Sequence, residues 1–122
     1  MTQLQTLKTN VLRRMREDKD KHCMDYLHIS DSFCALGIIY DEYIKLFPEG
    51  GFTWAEPTYS DREDLYILRD PTGFESRTCG FELAYRLNIV GDLFNKIVTK
   101  HDVDKLSWPD MADFLERNWH VV

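Results

Sequence analysis

Long apolar runs are missing from this 122-residue sequence. The stretch Ala35 to Tyr40 spans six residues, eight with Phe33 and Cys34 before it, where a membrane-crossing helix needs about 20. Cysteine is scarce and odd in number. Cys23, Cys34 and Cys79 do not make the framework of a secreted disulfide-rich domain, and their simplest role is packing in a reducing compartment. The opening Met1-Thr2-Gln3-Leu4-Gln5 has neither the basic start nor the apolar stretch of a secretory leader. A cytoplasmic location is therefore expected. Glycine is too scattered to cradle phosphates: Gly50-Gly51 reads as a helix stop, and Gly73 and Gly80 stand apart. Repeats, low-complexity tracts and linkers are missing too, which leaves a single domain over residues 1–122 as the expectation.

Aromatic residues are plentiful. Seven Phe, six Tyr and three Trp within a 43% hydrophobic composition supply a real core and argue against intrinsic disorder. The net charge of −6 is unevenly spread. Residues 1–22 hold six Lys/Arg against three acids, whereas the rest of the chain holds nine against eighteen. An acidic body repels a phosphate backbone, so direct nucleic-acid binding is disfavoured outside the first helix. The same acidity attracts a basic protein partner.

Apolar periodicity predicts five helices. The first, over 2–17, carries Leu4, Leu7, Val11 and Met15, with Arg13, Arg14 and Arg16 on a solvated side. The second, over 32–47, carries Phe33, Leu36, Tyr40, Tyr43 and Phe47. Ser30, Asp31 or Ser32 is expected to cap it and Pro48 to stop it. Phe52-Thr53-Trp54 and Leu65-Tyr66-Ile67-Leu68 predict a two-stranded hairpin with a long acidic loop. A helix over 76–88 is expected to bury Phe81, Ala84 and Tyr85, and one over 90–101 to bury Val90, Leu93, Phe94, Ile97 and His101. The last begins at Ser107-Trp108-Pro109-Asp110, a cap followed by a first-turn proline, and buries Trp108, Met111, Ala112, Leu115 and Trp119. The expected fold is a helix-dominated α+β domain: about five helices around one core, with a small β-hairpin on one side.

Candidate chemistry is thin. Cys34 falls in the first turn of the second helix, where a helix N-terminus lowers a thiol pKa, and His22 and His28 lie just upstream as candidate bases. A cysteine-dependent hydrolase is therefore one alternative, set against a buried, inert thiol beside Phe33. His22, Cys23, His28 and Cys34 match no zinc-binding spacing. Asp102-Val103-Asp104 opens like a calcium loop, but Leu106 stands where the third oxygen ligand belongs. No metal and no cofactor is expected. The better candidate is a surface: Glu49, Glu56, Asp61, Glu63 and Asp64 surround Trp54, Tyr59 and Tyr66, aromatic anchors inside an acidic rim of the kind protein interfaces use.

Phe33-Cys34-Ala35-Leu36-Gly37-Ile38, the later Trp54, and Leu106-Ser107-Trp108-Pro109-Asp110-Met111-Ala112-Asp113-Phe114-Leu115-Glu116 together resemble a set of small proteins from phages and prophages. The resemblance covers roughly residues 4–118 and implies a viral or mobile-element context, with no settled activity to carry over. Members often have a second cysteine after the first and another near the next turn. Here Ala35 and Tyr40 stand there, which puts a paired-thiol mechanism in doubt. Where members often show Asn-Asp before the last helix, this chain has His101-Asp102. A mid-helix glycine such as Gly37 costs about 1 kcal/mol relative to Ala. It is expected to admit a close neighbour, the C-terminal helix or the hairpin. The leading expectation is a non-catalytic acidic module that binds and modulates or inhibits a host factor. An immunity or antitoxin protein is a further alternative.

Overall fold

The computed structural model describes residues 1–58 and 62–122. The fold is α+β and helix-dominated, as expected. Among the described residues the α-helices are α1 (Gln3–Glu17), α2 (Ala35–Leu46), α3 (Phe81–Arg86), α4 (Asp92–Val98) and α5 (Trp108–Asn118). The strands are β1 (Lys21–His22), β2 (His28–Ile29), β3 (Ser32–Phe33), β4 (Thr53–Ala55), β5 (Leu65–Arg69) and β6 (Glu75–Ser76). No helix among the described residues is long and apolar enough to cross a membrane. The chain divides into two compact units, Met1–Asp20 with Phe81–Val122, and Lys21–Gly80.

The first unit is helical. Thr2 caps α1 in a reciprocal box with Gln5, satisfying N–H groups that a helix start leaves open. The helix buries Leu7, Val11, Leu12 and Met15. Ser107 caps α5, accepting from the Asp110 N–H at 3.3 Å, and Pro109 sits in its first turn. α5 buries Trp108, Met111, Ala112, Phe114 and Leu115, with Trp119 just beyond its end. Both helices are where their periodicity predicts. They run in opposite senses against each other: the Thr2 hydroxyl donates to the Val122 carbonyl at 2.8 Å, the Lys8 ammonium donates to the carbonyls of Glu116 and Trp119, and Arg16 reaches Asp113 and Glu116 at 3.2 and 3.1 Å. The basic side of α1 is thus largely engaged within its own unit. Arg14 completes this by forking onto Asp20 at 2.9 and 3.0 Å.

The middle of this unit departs from expectation. α3 is six residues long and buries Leu83 and Ala84, with Leu87 following, while Phe81 is 66% and Tyr85 76% exposed. A helix under two turns has two candidate stripes, and the aliphatic one is buried. Val90, expected in the core, is 44% exposed. α4 buries Phe94 and Ile97 and continues into a π-helical turn, Thr99–Val103, that carries the buried His101.

The second unit holds α2 and a mixed sheet of strand order β1-β3-β2-β5-β4, with β6 also paired to β5. The expected hairpin is β4 with β5, antiparallel, Trp54 opposite Leu68. The sheet is larger than that hairpin because the stretch before α2 contributes three short strands, the third of them, Ser32–Phe33, within the span expected to open the second helix. Ser30 adopts φ 52° at the two-residue connection between β2 and β3, a backbone twist that tight hairpins require. Ser30, Asp31 and Ser32 therefore build a turn and a strand, and the cap of α2 is Cys34. Gly37 admits neither the C-terminal helix nor the hairpin. A Cβ there would lie 2.0 Å from the Leu27 carbonyl oxygen, so the neighbour it admits is the backbone leading into β2.

Candidate functional site

Register in the sheet decides which side chains meet. His22 pairs with Phe33 across β1 and β3, Phe33 with His28 across β3 and β2, and His28 with Tyr66 across β2 and β5. Directly opposed residues share a face of a sheet, so these four form one row across four strands. The His28 ring stacks between Phe33 at 4.0 Å and Tyr66 at 4.6 Å, and meets the edge of Trp54 at 4.9 Å. Phe33 is buried, His28 and Trp54 are half-buried, and Tyr66 is 37% exposed. The outcome is a stacked aromatic cluster with one rim open to solvent.

Acidic groups of α2 support it. The Trp54 indole N–H donates to the Asp41 carboxylate at 2.9 Å. Lys45 neutralises part of that charge, lying 3.2 Å from Asp41 and 3.6 Å from Glu42. This anchoring fixes the indole plane, as a buried Trp N–H requires a partner.

The acids expected to form a rim are partly paired and partly open. Arg62 grips Asp64 at 3.1 and 3.2 Å, which lowers the Asp64 pKa and raises that of Arg62. The same guanidinium lies 5.7 Å from the centre of the Tyr26 ring, within cation–π range. Glu75 accepts from Arg69 at 2.9 Å and from the Thr58 hydroxyl at 2.9 Å, and its pKa is lowered, chiefly by Arg69. Glu49, Glu56 and Glu63 are exposed and hold no ion pair among the described residues. Tyr59 and Asp61, also expected in this rim, lie outside the described residues.

The residues of the hydrolase alternative are placed differently from one another. Cys34 is 8% exposed and serves as the cap of α2: its sulfur accepts from the Gly37 N–H at 3.4 Å and its own N–H donates to the Leu27 carbonyl at 3.2 Å. His28 sits within the aromatic stack, and His22 is exposed on β1. Among the described residues, no three His, Cys, Asp or Glu side chains gather as a metal ion would need.

Two features escape sequence reasoning. His28 joins Trp54 and Tyr66 into one cluster, and only the β2–β5 pairing reveals it. The exposed Phe81, Tyr85 and Val90 were expected inside the core, and the one signal against that was the competing stripe of Leu83, Ala84 and Leu87.

Comparison of the chain with protein-family models, curated proteins and solved structures finds no match.

Proposed function

We propose that this chain is a non-catalytic acidic protein-binding module, an accessory protein of a phage or mobile element that acts in the host cytoplasm by binding and modulating or inhibiting a host factor. The observation that supports the reading is the stack of Trp54, His28 and Tyr66 in the unit that holds the whole net charge: Lys21–Gly80 contains five Lys/Arg against eleven Asp/Glu. Aromatic side chains already held by packing lose little entropy on binding and anchor interfaces well. Open carboxylates around them speed encounter with a basic partner and reject acidic ones. Glu49, Glu56 and Glu63 are the natural electrostatic contacts, because reversing them breaks no ion pair among the described residues.

Affinity capture from host lysate, at low and raised salt, tests this. The wild-type chain is expected to retain one partner in stoichiometric amount and to release it as salt rises. A triple variant Glu49→Lys, Glu56→Lys, Glu63→Lys, which keeps the wild-type unfolding midpoint, and a separate Tyr66→Ala variant, which folds with a somewhat lower one because it loses the stack on His28, are both expected to lose it. Retention by both variants sinks the proposal. A Cys34→Ser variant replaces the capping sulfur with a hydroxyl oxygen that caps equally well and removes the thiol, so its full biological effect excludes a cysteine hydrolase.

A further inference from the structure

We draw no further inference here: the strongest candidate, the apolar groove beside the exposed Phe81 and Tyr85 on α3 and α4, carries none because nothing in the structure shows what covers it.

Discussion

The two compact units divide the chain almost evenly and handle charge in opposite ways. In the helical unit, ten bases balance ten acids, and several of the bases are turned inward to hold the unit together: Arg14 on Asp20, Arg16 on Asp113 and Glu116, Lys8 on the carbonyls at the end of α5. The sheet unit carries the entire −6 and leaves Glu49, Glu56 and Glu63 open. Their interiors differ as well. The helical unit is organised around two tryptophans whose N–H groups are tied to backbone: Trp108 donates to the Asp20 carbonyl at 2.7 Å and Trp119 to the Leu87 carbonyl at 2.8 Å. The sheet unit is organised around close backbone approach at Gly37 and a buried phenol, Tyr40. Charge closed on itself fits a structural role. Charge left open in the unit that carries an exposed aromatic cluster fits recognition.

The largest expected effect breaks the helical unit. Trp119 is fully buried and its indole satisfies the Leu87 carbonyl. Trp119→Ala removes the packing, leaves a cavity and orphans that carbonyl, so a loss of about 3–5 kcal/mol is expected. Urea unfolding followed by circular dichroism measures it, and a loss below about 1 kcal/mol would show that Trp119 is not a keystone of the unit.

Next comes the sheet unit's own keystone. On helix propensity alone, Gly37→Ala should stabilise α2 by about 1 kcal/mol. The Cβ would stand 2.0 Å from the Leu27 carbonyl oxygen, a backbone atom that cannot swing aside. Overpacking of this kind costs about 1–3 kcal/mol or more, so the net sign is destabilising. A variant more stable than wild type in the same urea titration would refute the close approach.

These two sites also show what was legible in the sequence. α1, α2 and α5 are readable because helical periodicity is a local signal, and at α5 the cap is one too: Ser107-Trp108-Pro109-Asp110 and the stripe ending at Trp119 lie where the period puts them, whereas the cap of α2 falls at Cys34. Gly37 announced a close contact without naming the neighbour, since the Leu27 backbone reaches it through folding of a stretch with no periodic signal. β1, β2 and β3 are two residues each, too short for alternation to register. The candidate site was half legible for the same reason. Composition marked Trp54, Tyr66 and the acids around them. Their stacking on His28 depends on β2–β5 register, a non-local pairing that composition does not encode. α3 misled because six residues support two stripes equally, and Leu83-Ala84-Leu87 is buried at the expense of Phe81 and Tyr85.

A smaller effect is expected at Tyr40. Its ring is fully buried, and its hydroxyl is shared between the carbonyls of Cys79 and Gly80 at 2.7 and 3.1 Å. Burial pushes its pKa well above the ordinary tyrosine value, so the group stays a donor through neutral and mildly alkaline pH. Tyr40→Phe keeps the packing and removes the donor, at an expected cost of about 1–2 kcal/mol. The variant should keep the wild-type circular dichroism and lose stability only. An unchanged unfolding midpoint would mean that water replaces the hydroxyl.

The smallest effect separates the paired acids of the sheet unit from its open ones. Glu75 bridges Arg69 in β5 and Thr58 after β4, and Arg69 is the main cause of its lowered pKa. Asp64 is lowered in the same way by Arg62. A carboxylate whose pKa falls on folding binds its proton more weakly in the folded state. Its contribution is therefore present above the unfolded pKa and is lost as pH falls through the folded one. Asp64 is exposed and Glu75 half-buried beside an exposed Arg69 side chain, so solvent screens the gain and the contribution to stability is slight. The position of the titration is the sharper readout. In an NMR pH titration, Glu75 and Asp64 are expected to protonate below the ordinary carboxylate range, and Arg69→Gln should return Glu75 toward it while leaving Asp64 where it was. Acidification then loosens the Arg69–Glu75 clasp at the end of the β4–β5 hairpin only after pH drops below that range. A Glu75 titration that Arg69→Gln leaves unmoved would show that Thr58, and not Arg69, holds its carboxylate.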